Sequence, residues 1–291
     1  MELDSVIRAG LPVALFLIML SMGMTLRGAD FKRVAIRPRA FTLGFASQML
    51  LPPILAIGLV IVFALPPELA VGLMVLSFCP SGTTSNLFSY LSGADVALSI
   101  SLTAVASVVT PFTVPLLTVQ VLGWQIGAGQ PVPFPVLKTM LQLAVIVVLP
   151  VAAGMLWRDR ASVSCARWQP VLQRFSVTLF VLVIVAIIIN QGNNLLPYLA
   201  MAGAVCMVMI LAAMTLGWLV ARLGRLSVRQ VKTISIEVGM QHGGMALVVT
   251  QGVLLNSTMS VVPVMYGLLM LIPVLTLVVG TRWRERRGRF A

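Results

Sequence analysis

The sequence predicts an all-α polytopic membrane protein of nine transmembrane helices, two of them broken and crossing. Three observations carry this. Hydrophobic residues make up 59% of the 291 and charged residues only 10%, with a mean hydropathy of +1.04; a soluble domain carries about 25% charged residues. Apolar runs of about 20 residues, the length that crosses a bilayer, recur along the chain. Two of these runs are interrupted by Gly or Pro beside polar residues, one early and one late.

Taken in order, the spans are residues 6–26, 40–65, 69–91, 95–122, 134–157, 171–190, 197–223, 228–255 and 258–280. The second is expected to be interrupted at Pro52-Pro53. The third is broken at Cys79-Pro80-Ser81-Gly82, and the fourth carries Pro111 and Pro115. The eighth is broken near Gly239–Gly244. The loops between spans are short and leave no room for a soluble domain. Glu2 and Asp4 precede the first run where a cleavable signal would be positive, so none is expected.

The net charge of +12 is distributed in bands. With nine spans drawn, every Lys and Arg of the 20 falls on one side except Arg8 and Lys138. The bands follow the first span (Arg27, Lys32, Arg33, Arg37, Arg39), precede and open the sixth, separate the seventh from the eighth, and fill the tail through Arg289. This positive-inside bias places the amino terminus outside and the carboxy terminus in the cytoplasm of a cell inner (plasma) membrane. The basic tail can also meet anionic membrane lipids. Nucleic acid is not an expected partner. Cys79, Cys165 and Cys206 show no metal or disulfide spacing.

The polar residues inside the spans locate the chemistry. Glu237 is the acid deep in an apolar run, where insertion costs roughly 3 kcal/mol, and His242 is the single histidine. Gly239, Gly243 and Gly244 surround them, so the helix can open and free its backbone groups. Such backbone is tolerated at membrane depth only where it faces protein or a water-filled cavity. A carboxylate beside a helix break suits a cation site in a transporter; the plainer reading is a buried acid satisfied by neighbouring helices. At the first break, Pro80 lacks an N–H and Gly82 is unrestricted, so the helix should stop and restart at Thr83-Thr84-Ser85-Asn86. The restarted amino end suits an anion, while Ser85 and Asn86 bring hard oxygen ligands.

Ser99, Thr103 and Ser107 form one stripe at helical spacing, either as ligands or as hydroxyls bonding the preceding turn. Gln48 either ties helices together or lends its carbonyl to a cation. Asp95 reads as a helix cap. The methionines read as packing. There is no phosphate loop, no nucleophile–base pair and no second carboxylate near Glu237, so an enzyme is not expected.

The two breaks together resemble the bile acid:sodium symporter family. The segments that carry the likeness are Cys79-Pro80-Ser81-Gly82-Thr83-Thr84-Ser85-Asn86, Asp95-Val96-Ala97-Leu98-Ser99 and Glu237-Val238-Gly239-Met240-Gln241, with Gly23-Met24-Thr25-Leu26 and Asp30-Phe31 before them. The resemblance implies an inverted-repeat core domain (about residues 40–122 and 197–280) rocking against a panel domain (about 6–26, 134–157 and 171–190). It implies two sodium ions. One would be held by Ser85, Asn86, Ser99, Thr103 and Glu237. The other would use Gln48, Glu237 and Gln241, with the backbone oxygens of Val238 and Met240. Many bacterial relatives have ten spans, and this chain is similar to one lacking the first.

The function so implied is sodium-coupled import of a small organic anion, of the bile-acid-like steroid, pantoate or keto-acid type, by alternating access. Thr83, Thr84 and His242 would face the substrate. His242 stands where relatives commonly have asparagine; it can donate to the anion, titrate, or bond a neighbouring carbonyl. The alternatives are a proton-coupled carrier of the same fold, using Glu237 and His242, and a non-transporting membrane sensor or channel.

Overall fold

The computed structural model describes residues 2–31, 38–127, 134–191 and 195–287, and every regular element of any length among them is helical. Lys32, Arg33, Arg37 and Arg289 of the basic bands lie outside the described residues. The helices are α1 (Glu2–Gly23), α2 (Pro38–Val62), α3 (Pro67–Ser77), α4 (Thr83–Leu91), α5 (Val96–Gln125), α6 (Val136–Arg160), α7 (Ser162–Gln191) and α8 (Leu195–Leu223). There follow α9 (Val228–Gly239), α10 (Gly243–Leu247, continuing as a π-helical turn over Val248–Val253), α11 (Ser257–Leu269) and α12 (Leu271–Arg287). A second π-helical turn, Ala144–Val148, lies inside α6.

Among the described residues, five helices are long and apolar enough to cross a membrane: Pro38–Val62, Val96–Gln125, Val136–Arg160, Ala200–Leu223 and Ser257–Thr281. This is fewer than the nine expected from the sequence. Two expected spans are each divided into half-helices (α3 and α4, α9 and α10) that are too short alone, and the apolar part of α1 counts only from Gly10 to Gly23. The outer surface is apolar in stripes. Leu50, Ile54, Ile57 and Ile61 on α2 are exposed at helical spacing, and so are Val108, Phe112 and Leu116 on α5. Stripes of this kind face lipid in a membrane protein.

The half-helices occupy the centre. Leu69 to Ser77 of α3 and Thr233 to Gly239 of α9 are buried throughout. This is the setting in which an interrupted backbone survives at membrane depth. Around them, α5 packs on α2, α3, α4, α6 and α9; α8 packs on α2, α9 and α11; α1 packs chiefly on α6 and α7. Both π-helical turns also touch α1. Several backbone contacts are close enough to require glycine, among them that of Gly23 on α1 with the Val151 carbonyl of α6. A Cβ at Gly154 would collide with the α1 backbone at Leu20 and Met24, and a Cβ at Gly72 with the carbonyl of Met259 on α11.

Pro52 and Pro53 do not interrupt their helix, contrary to the sequence expectation: α2 runs unbroken through both. Each proline removes one backbone donor, but the remaining intrahelical bonds have no water to compete with them in an apolar setting. Pro111 and Pro115 are likewise carried inside α5. Asp95 caps α5, its side chain accepting from the Leu98 amide at 3.2 Å.

Candidate ion and substrate site

The two interruptions meet. Gly82 is extended (φ −104°, ψ 173°) between Ser81 and the start of α4, and Met240 is extended (φ −105°, ψ 122°) after α9. The His242 amide donates to the Pro80 carbonyl at 2.7 Å, so one break is hydrogen-bonded directly to the other. The end of α9 is satisfied from outside: the buried Tyr266 hydroxyl donates to the Gly239 carbonyl at 2.9 Å.

Glu237 projects from the last turn of α9 and is fully buried. Hydroxyls from two other elements and from the first break surround its carboxylate. Ser85 of α4 donates to Oε1 at 2.7 Å and Thr103 of α5 to Oε2 at 3.0 Å. Ser99 also donates to Oε1 and Ser81 to Oε2. Asn86 joins through its Oδ1, which accepts from Ser99 at 2.8 Å. Gln48 of α2 reaches the same network, its amide donating to Ser81 Oγ at 3.0 Å. The oxygens of Ser85, Asn86, Ser99, Thr103 and Glu237 are therefore one connected cluster, all hard donors of the kind a small cation prefers.

A second group of acceptors is incomplete. Gln48 Oε1 and Gln241 Oε1 are buried with no hydrogen-bond partner among the described residues. The Gln241 amide is spent on the Val238 carbonyl at 3.2 Å. A buried acceptor without a donor costs about 1–3 kcal/mol, and native structures tolerate few. A cation can satisfy such oxygens without supplying a proton. Val238 and Met240 are fully buried beside them.

The rest of the serine–threonine stripe divides. Thr103 both donates to Glu237 and bonds the Ser99 carbonyl, whereas Ser107 donates to the Thr103 carbonyl at 2.7 Å and lies 3.9 Å from the Met22 sulfur. Ser107 is thus a helix-bonding hydroxyl.

Thr83, Thr84 and His242 share one cavity of about 310 Å³. It lies between the start of α4, the second break, the last turns of α1 (Ile18, Ser21), the middle of α7 and the α11–α12 junction. No side chain caps the start of α4, so its first amides remain available. Among the described residues, no carbonyl is hydrogen-bonded to the His242 ring. Its Nδ1 instead accepts from the Met245 amide at 3.2 Å and caps α10.

Two residues of the site were not singled out by sequence reasoning. Ser81 was legible only as part of the break; its position between Pro80 and Gly82, inside an apolar run, was the available signal. Tyr266 gave none, because its partner Gly239 is 27 residues away on another helix.

Two interrupted helices meeting at a buried carboxylate beside a cavity match the discontinuous helices around which transporters build midplane sites. The model of the Sodium Bile acid symporter family matches residues 12–198, and the chain belongs to that family. It is a family of transporters, and the protein is not an enzyme. Relatives include the uncharacterized sodium-dependent transporter YocS of Bacillus subtilis (28% identical; 80% of this chain, 71% of the relative). Another is the probable chloroplastic sodium/metabolite cotransporter BASS1 of Arabidopsis thaliana (32%; 81% and 57%). The human ileal sodium/bile acid cotransporter is 26% identical over 86% of this chain and 71% of its own length. The match thus spans little more than half of the plant relative.

Proposed function

We propose that this chain is a nine-span symporter of the cell inner (plasma) membrane, amino terminus outside and carboxy terminus cytoplasmic, that couples inward sodium movement to import of an organic anion. The observation that carries the proposal is the oxygen set around Glu237. Sodium bound by Ser85, Asn86, Ser99, Thr103 and Glu237 takes over the carboxylate now held by serine and threonine hydroxyls. A second sodium bound by Gln48, Glu237, Gln241 and the backbone oxygens of Val238 and Met240 satisfies the two amide oxygens that lack partners. Relatives named as sodium-dependent transporters and sodium cotransporters support sodium as the coupling ion.

Both ion sites draw on the two breaks, and the breaks also frame the cavity holding Thr83, Thr84 and His242. Sodium therefore orders the same backbone that receives the anion, which is the physical content of coupling here. Binding can shift the conformational balance only by favouring one state over the other. The moving bodies are a core of α2–α5 and α8–α12 and a panel of α1, α6 and α7, with the cavity between them. With this orientation the cavity lies on the cytoplasmic side of the crossing, bounded by the last turns of α1.

Purified protein in liposomes tests this with labelled pantoate, pyruvate and taurocholate, under an inward sodium gradient or a choline gradient at fixed pH. At least one anion should accumulate only with sodium. Uptake that ignores sodium and follows an imposed pH gradient would make the carrier proton-coupled, and absence of counterflow exchange would leave a sensor or channel.

A further inference from the structure

Three helices supply the oxygens around Glu237, and their mutual alignment is set one turn away, where no ion ligand lies. Helices α4 and α5, which carry Ser85, Ser99 and Thr103, are joined by the turn 92–95, in which Gly93 takes a φ of 65°. The Ser92 amide donates to the Phe88 carbonyl and the Ala94 amide to the Ser89 carbonyl, each at 2.9 Å, so the turn is tied back to α4. Glu237 arrives on α9, 138 residues after Ser99. Thr233, near the start of α9 and fully buried, joins that helix to the turn. Its Oγ1 accepts from the Asp95 amide at 2.9 Å, and its one proton serves the Asp95 and Arg229 carbonyls, each 3.1 Å away. The neighbouring Lys232 ammonium donates to the Ser92 carbonyl at 3.0 Å.

A buried helical threonine ordinarily bonds a carbonyl of its own preceding turn, as Thr118 does at 2.7 Å. Thr233 does this too, but it also receives an amide from another element 138 residues away. That separation equals the one between Ser99 and Glu237. Asp95 stands four residues before Ser99, and Thr233 four before Glu237, a rise of about 6 Å on each helix. The two helices therefore meet in two rungs one turn apart, Asp95 on Thr233 and Ser99 on Glu237. A slip at the first rung displaces the second. With the Thr233 hydroxyl gone, the Asp95 amide would turn to the Arg229 carbonyl, longer at 3.3 Å. Oxygens already held in register need not be ordered by the ion, so binding loses less to ordering.

We propose that Thr233 is a positioning residue of the sodium site. It is no ion ligand; its hydroxyl holds α9 against the α4–α5 turn so that Glu237 meets Ser85 and Ser99 in register. The inference rests on the sodium-coupled reading above.

Calorimetric titration of sodium chloride into the full-length protein, in detergent and choline chloride, reads the sodium affinity directly. Thr233→Val removes the hydroxyl at nearly constant volume and should weaken sodium binding about tenfold, the scale of one hydrogen bond lost from the ordered site. Thr233→Ser keeps the hydroxyl and should restore wild-type affinity. Thr118→Val, the same exchange at a buried threonine that bonds its own helix, should leave the affinity unchanged. A second measurement uses the wild type alone. Coupling is reciprocal, so sodium should slow hydrogen exchange of the Asp95 amide relative to choline, read by mass spectrometry on peptides covering residues 92–98. If Thr233→Val does not fold, this measurement decides. Wild-type sodium affinity in Thr233→Val, no restoration by Thr233→Ser, an equal loss in Thr118→Val, or exchange at Asp95 indifferent to sodium overturns the inference and leaves sodium coupling standing. If the wild type binds no sodium, both readings fall.

Discussion

Glu237→Gln isolates the charge from the shape. Glutamine keeps the side-chain volume and an acceptor oxygen, and the hydroxyls of Ser81, Ser85, Ser99 and Thr103 can turn to accept from its amide, so the crossing should stay folded. What disappears is one negative charge in a fully buried site. A unit charge about 4 Å from a cation contributes roughly 4 kcal/mol at an effective dielectric near 20, equivalent to about a thousandfold in sodium affinity. At a sodium concentration about a hundredfold above the wild-type dissociation constant, binding stabilises the wild type by about 2.7 kcal/mol. A thousandfold weaker variant gains less than about 0.1 kcal/mol at that same concentration. Thermal unfolding in sodium against choline reads this directly: a clear sodium-dependent rise for the wild type and none for Glu237→Gln, with the sodium-free variant at least as stable as its parent. A sodium midpoint within tenfold of wild type would refute the assignment of this carboxylate to the ions.

Three further outcomes follow from individual contacts. Gln241→Leu removes a buried oxygen that has no partner but also the amide that donates to the Val238 carbonyl, so the two effects offset and the sodium-free protein should change by less than about 1 kcal/mol while sodium half-saturation rises at least about tenfold; denaturation with and without sodium separates the two effects. Tyr266→Phe leaves the Gly239 carbonyl buried without its donor and should cost about 1–3 kcal/mol, measured as a lower melting temperature in either salt. Gly72→Ala drives a methyl group into the α11 backbone at Met259 and should destabilise by about 1–3 kcal/mol, whereas Gly58→Ala, with open space around the position, should be close to neutral; detergent-extracted yield and melting temperature distinguish them.

What the sequence disclosed and what it withheld follow from the range of the forces involved. The helices and both interruptions are local events, written by apolar runs, by Pro80 and Gly82, and by the glycines from 239 to 244. Glu237 was conspicuous because a lone acid in an apolar run has few structural excuses. Pro52-Pro53 misled because a proline pair reads as a stop in water, yet α2 continues in surroundings where the other backbone bonds have no rival. Ser81 bonds a carboxylate 156 residues away, and neither its partner nor the link from the His242 amide to Pro80 is written in any short window. The role of His242 as a cap also depends on geometry: only the fold shows which ring nitrogen is occupied. The π-helical turns left no signal in the residue pattern.

Those turns turn the chain length between fixed points into a ruler. A π-helical turn is an α-helix carrying one additional residue, and in α6 the turn over Ala144–Val148 lies ahead of Gly154, whose bare backbone abuts α1. Excising one residue within the turn would let it relax to ordinary helical winding with the downstream residues left in phase, whereas excising one from the regular helix between the turn and Gly154 would swing everything downstream by about 100°. Gly154 would face away, and a side chain would be driven against Leu20 and Met24. The same phase relation holds for α10, whose turn over Val248–Val253 also rests on α1. In this protein the π-helical turns are where the loss of one residue can be absorbed, and the regular helix around them is where it becomes a change of angle.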